Sequence, residues 1–130
     1  MMVLDSYALL AFFEREKGAD RVEELLREAL KTGRPLLMSV VNWGEVYYIV
    51  FRERGERKAD EALLLMEQLP IETVDAGRDM VLHAASLKAR FSLAYADCFA
   101  AALAALRGLK VITGDREFQK VSGEVDIEWL

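Results

Sequence analysis

Residues 1–14 read Met1-Met2-Val3-Leu4-Asp5-Ser6-Tyr7-Ala8-Leu9-Leu10-Ala11-Phe12-Phe13-Glu14. The first four are apolar without a polar break, as in a short strand buried on both faces, and Asp5 ends the run. Helix-like sequence follows at once over residues 6–14, with Ser6 placed to cap it. A buried strand that runs straight into a helix is the opening of a β–α unit, and the rest of the chain repeats the alternation.

Further short strand-like runs occur at residues 35–38, 71–74, 110–113 and 125–129, the last read as an edge strand. Between them lie helical patterns. Residues 19–31 carry Val22, Leu25, Leu26, Ala29 and Leu30 at helical spacing, with Gly33 as the stop. Residues 40–54 fit a helix ended by Gly55, and residues 58–69 another that stops at Pro70. Residues 77–91 predict a helix with Val81, Ala84, Ala85 and Leu87 inward. Ser92 is placed to cap a helix over 93–106, ended by Gly108, and 114–120 reads as a loop with a short helix. The expected fold is α/β, with a central, mainly parallel sheet between helical layers. At 130 residues, without repeat, linker or low-complexity tract, the chain reads as one domain, 1–130.

Composition narrows the chemistry. With 53% hydrophobic residues, disorder is excluded over most of the length. Charges interrupt every apolar stretch, so no membrane span is expected. The basic start and small-residue cleavage site of a signal peptide are also missing, so a cytoplasmic location is expected. One cysteine (Cys98) and one histidine (His83) rule out a disulfide framework and a Cys- or His-rich metal site within one chain. A metal would need mainly oxygen ligands, which points to Mg²⁺ or Mn²⁺. A net charge of −5 does not suit a protein that simply coats nucleic acid, but is compatible with an enzyme that cuts it.

In a parallel sheet, ligands bind beyond the carboxyl ends of the strands. Asp5 and Asp115 stand at two such ends. Either alone reads as a loop residue or helix cap. Asp97 is followed at helical spacing by Ala100, Ala101 and Ala104, a flat face suited to lying on a sheet. A charge there costs several kcal/mol unless paired or metal-bound, and Asp97 stands late for a residue that only answers the helix dipole. Glu45 shares a stripe with Val41 and Ile49. Gly44 beside it costs about 1 kcal/mol relative to Ala and implies a close backbone approach. Gathered without a cation, four such acids would repel one another. With one or two divalent ions they become ligands able to support phosphodiester hydrolysis. Cys98, in an Ala-rich helix, reads as a buried thiol, and His83 as a partly buried packing residue.

Four segments carry a family resemblance: Val3-Leu4-Asp5-Ser6; Ser39-Val40-Val41-Asn42-Trp43-Gly44-Glu45; Leu93-Ala94-Tyr95-Ala96-Asp97-Cys98-Phe99-Ala100-Ala101; and Thr113-Gly114-Asp115-Arg116-Glu117-Phe118. In order and spacing the sequence resembles PIN-domain nucleases, especially VapC-type toxins of toxin–antitoxin pairs. The resemblance implies a PIN-like three-layer α/β/α nuclease domain over 1–130. It implies Mg²⁺ or Mn²⁺ as cofactor, with Asp5, Glu45, Asp97 and Asp115 as catalytic metal ligands, direct or through water. Ser6 and Thr113 would be hydrogen-bond partners that orient them. It also implies an RNA substrate (transfer or ribosomal RNA), a VapB-like antitoxin and a homodimer. Glu117 stands where many members carry a further Asp. Trp43, Tyr47, Tyr48 and Phe51 are candidates for a protein groove, core packing being the better reading for at least two. Arg15, Lys17, Arg52, Arg54, Arg57, Lys58 and Arg116 are candidates for RNA phosphate contacts, most of them ordinary solvated charge.

Two other readings stay open. One is a non-catalytic PIN-like module that binds RNA or protein. The other is a phosphoryl-transfer domain with Asp5 as nucleophile, which Tyr7 disfavours by standing where a haloacid-dehalogenase-like motif needs its second Asp.

Overall fold

The computed structural model describes residues 1–130. Its elements in chain order are β1 (Met2–Leu4), α1 (Ser6–Glu14), α2 (Ala19–Thr32), β2 (Leu36–Ser39), α3 (Val40–Arg54) and α4 (Glu56–Gln68). They continue with β3 (Ile71–Val74), α5 (Arg78–Arg90), α6 (Tyr95–Arg107), β4 (Lys110–Thr113), a 3₁₀ turn (Arg116–Val121) and β5 (Ile127–Trp129). The five strands form one sheet in the order β3-β2-β1-β4-β5, every pair parallel. The expected α/β/α architecture is present, and the sheet is wholly rather than mainly parallel.

Alternation along the strands sorts the core. Val3, Leu37 and Val111 point to one face, where they pack with Ala84 and Leu87 of α5 and the buried alanines of α6. Leu4, Leu36 and Ile112 point to the other, against Val22, Leu25, Leu26 and Ala29 of α2. Met38 joins Leu9, Val46, Val50 and Met66, which lock α1, α3 and α4 together on that second face. The alanine run of α6 allows the helix backbone to lie close to the sheet, and Ala100, Ala101, Ala102 and Ala104 are all fully buried.

The chain winds from β1 outward to β2 and β3, then crosses to place β4 on the other side of β1. The carboxyl ends of β1 and β4 therefore form the topological switch point, the place where parallel sheets open a crevice. Asp5 and Asp115 lie immediately beyond these two ends.

Several local expectations are corrected. Asp5, not Ser6, caps α1, its Oδ1 accepting from the Ala8 N–H at 2.8 Å. In α5, Met80 takes the inward position expected for Val81, which is exposed. The helix expected from residue 93 begins at Tyr95, and no side chain caps it. Leu93 is drawn into the core, and its carbonyl accepts from the Lys88 ammonium, which ends any helical continuation there. Gly44 is exposed with open space where a Cβ would stand, so no close backbone approach explains it.

Candidate active site

Asp5 is the buried centre of the site. Its carboxylate is 1% exposed. One oxygen caps α1, while Oδ2 is buried without a hydrogen-bond partner. Burial pushes its pKa up to about 8. The nearby Thr113 side chain and the hydrogen bond from the Ala8 N–H oppose the shift, and Asp97 and Asp115 add to it. Asp97 is also raised, to about 7, by burial first and then by Asp115, Glu45 and Glu117. No Lys or Arg is among the causes for either group. The four acids expected from the sequence thus stand in one electrostatic neighbourhood with no protein cation to offset them.

Because α6 starts at Tyr95, Asp97 lies in the first turn of the helix. Its position there is favoured by the helix dipole as well as by function, contrary to the expectation that it stood too late for that. Glu45 is half-buried on α3, on the border of the packed stripe formed by Asn42, Val46 and Val50. Asp115 is half-exposed and caps the 3₁₀ turn, accepting from the Glu117 N–H at 3.0 Å.

The hydroxyls are placed as orienting groups. Ser6 Oγ, nearly buried, donates to Glu45 Oε1. Thr113, fully buried, stands near enough to Asp5 to oppose the rise in its pKa, and its Oγ1 accepts from the Asp115 N–H at 3.0 Å. One side chain therefore adjoins two of the acids.

Two neighbours were missed in the sequence. Asn42 is fully buried, and its Nδ2 donates to Ala96 O at 2.9 Å and more weakly to Glu45 Oε1 at 3.4 Å. It ties Glu45 to the start of α6, one residue before Asp97. Its spacing from Glu45 (i, i+3, one helix face) was the available signal. The second is Tyr7, 41% exposed at the rim. A Cβ on Gly114 would stand 2.9 Å from the ring Cζ and closer still to Cε1, so Tyr7 lies flat on the Gly114 backbone. Glycine is what allows the Thr113–Asp115 segment to pass under that ring.

Glu117 is exposed and pairs with Lys120. Cys98 is buried and its thiol is pushed up by that burial, which fits an inert packing residue. The largest cleft, about 360 Å³, lies at the opposite end of the strands among Met1, Met2 and Leu36, and none of the acids borders it.

The donor set is all oxygen, carries four carboxylates and includes a buried oxygen with no partner, which suits a hard divalent cation. No three acid, histidine or cysteine side chains already stand close enough to hold such an ion. Like charges without a counterion between them have no reason to close further.

A family model described as the PIN domain matches residues 2–124. No curated protein sequence matches. Among solved structures, the chain is similar to VapBC2 from Rickettsia felis bound to a DNA fragment from its promoter. That match has 14% identity and a TM-score of 0.77, and covers 98% of this chain and 96% of that one. It is also similar to a DNA-bound VapBC from Salmonella typhimurium, at 20% identity and a TM-score of 0.74, with 98% of each chain covered. A third is VapC20 of Mycobacterium tuberculosis, described as a toxin cleaving the sarcin–ricin loop, at 16% identity and a TM-score of 0.71. There 97% of this chain and 98% of that one are covered.

Proposed function

The chain belongs to the PIN-domain family, and from that premise we propose that it is a metal-dependent endoribonuclease, the toxin of a VapBC-type toxin–antitoxin pair. The observation that carries the proposal is Asp5: a buried carboxylate at the switch point of a parallel sheet, with one oxygen unpartnered and other acids raising its pKa. Such a group is costly to a fold and is usually retained for what it binds.

Asp5, Glu45, Asp97 and Asp115 would hold Mg²⁺ or Mn²⁺, directly or through water. When bound, such an ion supplies an activated water at neutral pH and offsets charge at the phosphate and the leaving oxygen. The chain's own groups prepare the site. Ser6 and Asn42 fix the Glu45 carboxylate, the Ala8 N–H fixes Asp5, and Thr113 fixes the Asp115 backbone. Asp5 and Asp97, protonated or partly so near neutral pH, would have to give up their protons to serve as ligands. In the net hydrolysis the water oxygen bonds to phosphorus, one P–O ester bond breaks, and the departing RNA oxygen leaves as a hydroxyl carrying one of the water's protons.

VapBC complexes among the structural neighbours support a VapB-like antitoxin as partner, and a homodimer is the assembly we propose with it. Tyr48 and Phe51 on α3 expose much of their rings and are candidate contacts, whereas Trp43 and Tyr47 pack into the core beside them. No helix is long and apolar enough to cross a membrane, in keeping with action in the cytoplasm. Transfer or ribosomal RNA is the substrate class we propose.

The test is cleavage of a mixed cellular RNA pool by purified, antitoxin-free protein in Mg²⁺ or Mn²⁺, in chelator, and with Asp5→Asn and Asp97→Asn. Discrete cuts that need metal and vanish in both variants support the reading. Undiminished cutting by the variants defeats it. The lack of a preformed three-carboxylate cage favours one second reading, a non-catalytic module, which predicts RNA or protein binding without cutting in any metal.

A further inference from the structure

Four acids repel the phosphates they would have to cut, so a phosphodiester needs a cation beside the site. Within two residues of Asp5, Glu45, Asp97 or Asp115, Arg116 is the only basic residue. The other basic side chains considered from the sequence fall away. Arg15 pairs with Glu23, Arg54 with Glu14, and Arg57 and Lys58 with Glu61. Lys17 follows the far end of α1 from Asp5, and Arg52 is seven residues along α3 from Glu45, about 10 Å of helix. Arg52 also lies over the Tyr48 ring, 5.5 Å from its centroid.

Arg116, like Arg52, is held by a ring and not by a carboxylate, but it stands next to Asp115. It is exposed and flanked in sequence by Asp115 and Glu117, yet forms no ion pair with either, and Glu117 pairs instead with Lys120. Its guanidinium lies over the Trp129 ring, 4.8 Å from the centroid. Trp129 is itself well fixed. It pairs with Thr113 in the sheet and packs against the larger core cluster, and its neighbour Glu128 takes Arg21 through two hydrogen bonds of 2.9 and 3.0 Å. Paired strands lie about 4.8 Å apart, so the tryptophan stands one strand away from the Thr113 that holds the Asp115 backbone. A guanidinium held over a ring rather than paired with a carboxylate keeps its N–H donors free, and those donors match phosphate oxygens in pairs.

We propose that Arg116 is the phosphate-binding residue of this site, gripping the RNA backbone next to the bond to be cut, and that Trp129 is the positioning residue that keeps its guanidinium off the neighbouring carboxylates. The assignment rests on the nuclease reading for its substrate and on the stacking geometry for its residues.

The experiment measures two things on the full chain. One is RNA cleavage in Mn²⁺. The other is binding of a fluorescently labelled single-stranded RNA in EDTA, by anisotropy over a series of salt concentrations. Arg116→Gln should raise KM about tenfold with kcat within about threefold. It should also lower the slope of log affinity against log salt by about 0.7, the value of one phosphate contact on a single strand. Trp129→Leu should raise KM less, Trp129→Phe less again, and Trp129→Leu should add nothing in an Arg116→Gln background, since it acts through that side chain. Unchanged KM and salt slope in Arg116→Gln, with wild-type cleavage intact, would overturn the inference and leave the nuclease standing. Independent, additive losses would overturn the role of Trp129. If the wild type binds RNA but never cuts it, a weakened Arg116→Gln complex upholds the phosphate contact while the nuclease reading fails. If the wild type neither binds nor cuts, both are lost.

Discussion

Asp5→Asn should make the metal-free protein more stable, not less. The substitution keeps the shape of the side chain and the oxygen that caps α1, where Asn serves about as well as Asp. It removes only the charge. The Asp5 carboxyl has its pKa raised from an ordinary 3.8 to about 8. In the unfolded chain it ionises near pH 4, while in the folded chain it must keep its proton or bear a buried charge. Below pH 4 both states are protonated and nothing is lost. As the pH rises from 4 to 8, the unfolded state binds fewer protons than the folded one, so stability falls, and above 8 the penalty is complete. At one decade per 1.36 kcal/mol the penalty is about 2 kcal/mol at pH 5 and about 4 kcal/mol at pH 7, an upper figure that any water entering the pocket reduces.

The assay is urea denaturation in EDTA at pH 5 and pH 7, comparing the variant with wild type so that other titrating groups largely cancel. Asp5→Asn should be the more stable protein at both, with the margin larger at pH 7. Saturating Mn²⁺ should then reverse the order, raising the wild-type midpoint and leaving the variant's nearly unmoved. A variant less stable than wild type at pH 7, or a margin independent of pH, would refute the claim that Asp5 is an uncompensated buried acid. Equal stabilisation of both proteins by Mn²⁺ would refute its part in metal binding.

Mn²⁺ affinity should rise between pH 6 and pH 8, because Asp5 and Asp97, with pKa values near 8 and 7, must lose protons to bind; calorimetry in two buffers of different ionisation heat should find about one to two protons released. Gly114→Ala should lower stability by about 1–3 kcal/mol, since its Cβ would enter the Tyr7 ring, and a Tyr7→Ala partner mutation should recover much of that loss in the same denaturation assay. Asn42→Ala should cut kcat about 10- to 100-fold by freeing Glu45. It should also cost about 1 kcal/mol by removing the side-chain hydrogen bond to the Ala96 carbonyl; kinetics with denaturation on one preparation measures both.

The acids were legible because each breaks a pattern. Asp5 and Asp115 end apolar strands, and Asp97 and Glu45 interrupt apolar helix stretches, so it was as a set, not one by one, that they stood out. The elements were legible because strands four residues long and helices with clear periodicity leave little room for exchange. What stayed hidden depended on neighbours remote in sequence. Residue 93 looks like the start of a helix until Lys88 is seen to bind its carbonyl and the core to take its side chain. Ser6 looks like a cap until its hydroxyl is found committed to Glu45, which leaves Asp5 to cap in its place. Asn42 was unremarkable as a sequence residue because the partners of its Nδ2 lie on two helices, and its Oδ1, buried without a partner, shows only in the fold. A violated hydrophobic pattern, which marks the candidate acids, is therefore blind to the polar residues beside them. It is equally blind to an arginine that an aromatic ring, rather than a carboxylate, keeps in place. Finding these required the register that sets Trp129 beside Thr113 and the crossover that brings β4 next to β1.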